Sequence, residues 1–168
     1  TTNLYIVPSG IELATAELEL SGRMGRENVL KKALSLVADR FDYILIDCGP
    51  SLSLLTVNAL VACSHAIVPC SPDYLAYQGL NLLMDTVAQV RENLNKELEI
   101  MGVVLTMSDK RTLHCREVRD LITSNYKVLG EVGASVRVKD AALEGLSIVE
   151  YDPSHHIALA YKAIAMGI

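Results

Sequence analysis

Aromatic side chains are scarce in this 168-residue chain, which has no tryptophan, one phenylalanine and seven tyrosines although 51% of its residues are hydrophobic. Its apolar content is therefore aliphatic, and a mean hydropathy of +0.29 suits buried parallel strands with helices packed on them. Long apolar runs are missing too. The longest weakly polar stretch, residues 52–70, is broken by Asn58, Ser64, His65 and Pro69, so it does not read as a membrane span. Cys48, Cys63, Cys70 and Cys115 show no CxxC or metal-ligand spacing, which predicts reduced thiols in a cytosolic protein. Thr1-Thr2-Asn3 carries neither a positive leader nor a cleavage signal, and secretion is not expected. Excess positive charge is also lacking, since the net charge of −5 argues against a generally basic nucleic-acid binder. The charge is uneven, however. Residues 110–139 hold seven Lys and Arg against three acids, so an acidic body can carry one basic face.

What the chain does have is centred on Phe41-Asp42-Tyr43-Ile44-Leu45-Ile46-Asp47-Cys48-Gly49-Pro50-Ser51. Residues 43–46 suit a strand buried on both faces, and Gly49-Pro50 turns the chain just beyond it. Asp47 then stands at the carboxyl end of a strand, where open α/β sheets bind ligands and where an acid can support Mg²⁺ or its water beside a phosphate. The same residue also suits a turn or helix cap, and residue type alone leaves both roles open.

Around this strand the pattern alternates. A short strand at 4–7 is followed by a Ser9-x-x-Glu12 capping-box spacing, then helices over 11–20 and 27–38. After the central strand come a helix over 53–63, a strand over 65–70, a helix over 75–94 and a strand over 100–107. A polar loop at 108–112 leads to a helix over 115–124 and a strand over 128–132. A basic loop to Asp140, a short strand over 148–151 and a closing helix from Ser154 complete the chain. This is one domain with βαβ units and a mostly parallel, doubly wound sheet.

These stretches resemble the ParA/Soj partition ATPases, of the deviant-Walker-A, MinD-like class of P-loop proteins. The likeness rests on Pro8-Ser9-Gly10-Ile11-Glu12-Leu13-Ala14, the segment 41–47 with Pro50-Ser51-Leu52, and Leu55-Thr56-Val57-Asn58-Ala59-Leu60. It continues through Gly102-Val103-Val104-Leu105-Thr106-Met107-Ser108-Asp109-Lys110-Arg111-Thr112, Val136-Arg137-Val138 and Tyr151-Asp152-Pro153. The resemblance implies that Asp47 is the Walker B aspartate supporting the Mg²⁺ of ATP through water, and that Pro50 lies in the switch that senses the γ-phosphate. It places Met107 and Asp109 beside the adenine, with Ser135 at a further base-contacting position. It matches Arg111 and Arg137 to arginines that bind DNA without regard to sequence. It further implies a homodimer on non-specific DNA, a ParB-like centromere-binding partner, and a cytoplasmic, nucleoid-associated location. A MinD-like membrane role is not expected, because residues 161–168 lack a basic amphipathic extension.

The departures are specific. No GxxxxGK[ST] loop occurs, so the backbone amides and lysine that cradle phosphates are not supplied. The likeness covers roughly the last two-thirds of a family member, which predicts a single partial ATPase domain lacking the P-loop strand. The chain is then either a fragment or a truncated relative. Because that strand would lie beside the Walker B strand, apolar surface around residues 44–46 is expected to be exposed. Cys48-Gly49 and Gly133-Ala134-Ser135 replace the family's usual residues, and His155-His156 reads as an exposed helix start. A signalling receiver, whose phospho-accepting Asp also ends a strand before a Pro turn, would need an acidic pair where Pro8-Ser9-Gly10 stands. A DNA-binding or scaffold relative that has lost the ATP site stays open.

Overall fold

The computed structural model describes residues 3–10, 12–109 and 111–168. The helix start expected at Ile11, and Lys110 of the basic stretch, lie outside the described residues. Three apolar segments pair in parallel: β1 (His65–Cys70), β2 (Glu99–Ser108) and β3 (Val128–Gly133), in the order β1-β2-β3. Parallel neighbours need a long crossover, and α4 (Tyr74–Asn93) and α5 (Leu113–Asn125) supply the two. Gly102 is required where the β1–β2 register shifts: its φ is +156° and a Cβ there would lie 2.6 Å from the Lys127 carbonyl oxygen.

Alternation along β2 sends successive side chains to opposite faces. Val103 and Leu105 join Val68, Cys70, Leu80, Val118 and Ile122 in one core under α4 and α5. Val104 joins Val132, Ala141, Ile148, Ile157 and Ala158 in the other. That second face is covered by α6 (Val136–Leu143), α7 (Ile148–Tyr151) and α8 (His156–Met166). The sheet is thus doubly wound and mostly apolar, as its aliphatic composition predicts.

Two expectations fail in this region. The basic loop is the helix α6, because the Ser135 hydroxyl accepts a hydrogen bond from the Arg137 amide at 3.2 Å and caps it. The strand expected over 148–151 is the helical turn α7, held by a reciprocal Ser147/Glu150 capping box. There the local cap outweighs the β preference of Ile148-Val149, and Ile148 is buried in the core.

The chain divides into two compact units, one of Thr1–Ser64 with Gln89–Leu98 and the other of His65–Ala88 with Glu99–Ile168. The second is the sheet unit above. The first contains α1 (Leu13–Ser21), α2 (Val29–Leu34) and α3 (Leu54–Ala62). Its polar side chains join these helices. Buried Asn58 accepts from the Leu30 amide at 3.1 Å and donates to the Arg26 and Leu54 carbonyls at 2.9 Å. Glu17 accepts from the Leu54 amide at 2.7 Å, placing a carboxylate at the start of α3. Asn95 donates to the carbonyls of Leu60 and Cys63, closing the other end of that helix.

The helix expected over 27–38 is interrupted, with 3₁₀ turns at Arg26–Asn28 and Ala38–Arg40 flanking α2. The capping box expected at Ser9 is absent, since Glu12 is the N-cap of α1 and makes no side-chain cap bond. The strands expected over 4–7 and 43–46 join no ladder. Val7 is 97%, Tyr43 85% and Leu45 92% exposed. A strand persists only where a neighbour takes its backbone N–H and C=O groups, and among the described residues no strand lies beside either segment. Tyr5 and Phe41 meet edge-on at 5.5 Å, the one ring contact between the two regions among the described residues.

Candidate functional site

A cavity of about 580 Å³ opens beyond the carboxyl ends of β2 and β3. Ser108 and Asp109 continue from β2, Glu131, Gly133 and Ala134 come from β3 and the turn after it, and His156, Ile157 and Ala160 come from α8. Glycine, alanine and isoleucine make its slot-like apolar walls, while hydroxyl, carboxylate and guanidinium groups supply its polar edge. Its position matches the binding crevice of open α/β sheets.

Sequence reasoning missed Glu131. Its carboxylate accepts from the Ser108 hydroxyl and, at 3.3 Å, from Arg119 Nε, so α5 and both strands converge on one acid that is only 15% exposed. The signal was a lone acid in an otherwise apolar strand. His156 is exposed, as its place at a helix start suggested, yet it also lines the cavity. His155 caps α8, its Nδ1 accepting from the Ile157 amide at 3.2 Å.

Of the expected base-side residues, Asp109 lines the cavity together with Arg111. Asp109 is heavily engaged: Arg111 donates to it from Nε at 2.9 Å, from Nη2 at 2.8 Å and from its backbone amide at 3.1 Å. These bonds hold the Asp109 carboxyl down to about 2. Ser135 and Met107 flank the cavity in sequence without lining it. The Ser135 hydroxyl is used as the cap of α6, and Met107 is exposed with a left-handed φ of 53° at the end of β2. A left-handed non-glycine residue is strained.

Arg137 stands in the first turn of α6. Its Nη2 donates to Asp152 Oδ2 at 3.1 Å, and its guanidinium lies 5.1 Å over the Tyr151 ring. The Ser154 hydroxyl donates to the other Asp152 oxygen at 3.1 Å, and the Arg137 and Ser154 bonds together lower the Asp152 pKa. Asp152 was legible as part of the Tyr151-Asp152-Pro153 match, but its partnership with Arg137 was not.

Asp47 and Pro50 belong to the other unit and are exposed in the loop before α3. That loop closes through the Ser53 cap and a 2.6 Å bond from the Thr56 hydroxyl to the Ser51 carbonyl. The Asp47 carboxylate makes no hydrogen bond or ion pair among the described residues, and a single open carboxylate fits a hydrated Mg²⁺, which takes one or two carboxylates and keeps its waters. Partial desolvation of the sulfur pushes the thiol of Cys48 up, although the residue as a whole is exposed, and the Asp47 charge adds to the effect. Burial also raises Cys70, at the end of β1, to about 11.

Helices on both faces of a parallel sheet, with a cleft beyond its carboxyl ends, define a doubly wound α/β protein, and the solved structures it matches make it one of the P-loop NTPase type. A family model described as an AAA domain matches residues 1–100. The sporulation initiation inhibitor protein Soj of Bacillus subtilis is 41% identical over 171 residues, covering 99% of this chain and 67% of its own length. The chain belongs to the ParA/Soj family of partition ATPases, in the MinD-like class. An uncharacterised protein of Mycobacterium tuberculosis is also 41% identical, over 97% of this chain but 52% of its own, so the chain spans about half the length of that relative. Cobyrinic acid a,c-diamide synthase from Mycobacterium smegmatis, solved with a bound ATP analog and magnesium, matches with a TM-score of 0.72 and 33% identity. That match covers 95% of this chain and 60% of the other.

Proposed function

We propose that this chain is the switch-and-base portion of an ATP-dependent DNA-partition protein. The observation that carries the reading is the cavity beyond β2 and β3, formed by stretches that align with Soj, with a polar edge at Asp109 and apolar walls from Ile157 and Ala160. In this reading the cavity receives the adenine end of ATP, between the 133–134 turn and α8. Asp47 holds the water shell of Mg²⁺, and Pro50 to Ser53 form the turn that answers to the γ-phosphate and transmits its presence to α3. Bound Mg²⁺ would neutralise charge on the phosphates during transfer to water. ATP-loaded molecules pair as a homodimer, present Arg111 and Arg137 to DNA phosphates irrespective of sequence, and are released by a ParB-like partner that stimulates hydrolysis. A cytoplasmic, nucleoid-associated location follows from that DNA role.

The phosphate-cradling GxxxxGK[ST] loop is not in this sequence. The 168-residue chain is therefore expected to bind Mg-ATP far more weakly than micromolar, and a calorimetric titration reaching micromolar affinity would refute this. In the full-length protein, Asp47→Ala is expected to abolish turnover while Asp109→Ala changes nucleotide affinity. Equal turnover by wild type and Asp47→Ala sinks the Walker B assignment. Failure of the full-length protein to bind Mg-ATP at all favours the scaffold reading.

A further inference from the structure

Both arginines assigned to DNA arrive with a carboxylate of their own. Arg111 is 89% exposed at its side chain, yet it turns its Nε/Nη2 edge onto Asp109 at 2.9 and 2.8 Å. That edge is the one a guanidinium offers to two phosphate oxygens at once. Arg137 gives Nη2 to Asp152 and rests a face on Tyr151, while Ser154 fixes the same carboxylate from its other side. The two pairs come from different elements, the loop after β2 and the first turn of α6: Arg111 is held along its Nε/Nη2 edge, and Arg137 through Nη2 alone. Each brings almost no net charge to a polyanion. Salt-dependent affinity for nucleic acid grows with the positive charge that neutralises phosphates, so a guanidinium already neutralised by an aspartate adds little.

We propose that Asp109 and Asp152 are internal competitors occupying guanidinium donors that a phosphate backbone needs, and that opening these two ion pairs frees Arg111 and Arg137 to bind a polyanion. The proposal rests on the DNA role given to Arg111 and Arg137 and adds the device that restrains it. The Arg111–Asp109 pair is exposed, and exposed ion pairs are individually weak, which suits a restraint that a high local density of phosphates can displace; Asp152, 22% exposed and also held by Ser154, makes the firmer pair. A restraint of this kind makes binding steep in phosphate density: an isolated phosphate leaves a pair closed, whereas a duplex offers several phosphates to it at once.

The test measures the full-length protein, held at saturating Mg-ATP so that a change in nucleotide affinity at Asp109 does not enter, against two probes, a labelled duplex of arbitrary sequence by fluorescence anisotropy and inorganic polyphosphate by calorimetry, between about 50 and 200 mM salt. Asparagine keeps a neutral acceptor for the amide and guanidinium protons. Asp109→Asn and Asp152→Asn should each steepen the log–log salt slope by about 0.9 on the duplex, equivalent to about a 3.5-fold gain at the low end of that range relative to the high end. The gain should vanish in Asp109→Asn/Arg111→Ala and in Asp152→Asn/Arg137→Ala, which separates release of a particular arginine from a general loss of negative charge. Asp85→Asn, an equal charge change at an exposed position of α4, should leave the slope unchanged. Wild-type or weaker affinity of both aspartate variants for both probes overturns the proposal, as does a gain that survives removal of the arginine. Gains on polyphosphate with no duplex binding by any form uphold the restraint and sink the DNA reading. Absence of binding to either probe by every form overturns both.

Discussion

At the residue scale, the decisive facts are which side chains hold one another. Asp109 has an ordinary carboxyl value of 3.8, lowered to about 2 by its bonds from Arg111. The sign follows directly: the pair is complete above about 3.8 and is lost as the pH falls through about 2. Carboxyl carbon shifts followed by NMR should therefore give Asp109 a midpoint near 2, and Arg111→Ala should return it toward 3.8. An unchanged midpoint in that variant would mean that Arg111 is not the cause. Asn58 makes a second residue-scale case. It is buried and satisfies one amide and two carbonyls from three segments. Asn58→Ala is expected to cost about 1–3 kcal/mol, since it strands the Leu30 amide in a partly buried place. Urea unfolding with no loss of midpoint would contradict this.

Elements were legible where sequence pattern and tertiary partner agreed. The strands at 65–70, 100–107 and 128–132 and the helix at 75–94 appear within a few residues of expectation, because each has a long periodic apolar signal and packs against the others. Residues 4–7 and 43–46 carry an equally good strand signal and form none, for composition shows that a segment can be a strand without showing that a neighbour exists to pair with it. Residues 148–151 failed for the opposite reason: a strand was expected there, and the Ser147/Glu150 capping box that makes the segment helical was missed. The cavity was half legible. Asp109 was found from the resemblance, whereas Glu131 and His156 reach the same space only because β3 and α8 converge there. That convergence makes a prediction of its own. A Cβ on Gly130 would lie 2.4 Å from Ile164 Cγ1, so α8 sits directly on the bare backbone of β3. Gly130→Ala should destabilise the protein by about 1–3 kcal/mol through overpacking. In Gly130→Ala/Ile164→Ala the two losses should be less than additive, and simple additivity in a double-mutant cycle would show that the contact is not tight.

For the whole molecule, exposed apolar backbone is the dominant feature of the first unit. Val7, Tyr43 and Leu45 are exposed in segments that join no helix or strand, and exposed apolar surface of this kind recruits other chains. The 168-residue chain is expected to self-associate as its concentration rises, and Val7→Lys with Leu45→Lys should shift sedimentation toward the monomer without lowering stability. A monodisperse wild-type monomer at high concentration would contradict this.

The parallel sheet also sets how the chain acquires its structure in time. His65 must find Glu99, and Val103 must find Val128, each across an intervening helix, so no hairpin can nucleate the ladder. Helices such as α4 can flicker into place within about a microsecond, while the ladders wait on closure of long loops and are reached in about milliseconds to seconds. During that interval β2, which is buried on both faces once folded, is an uncovered apolar strand, and the race between intramolecular pairing and encounter with another chain is decided there.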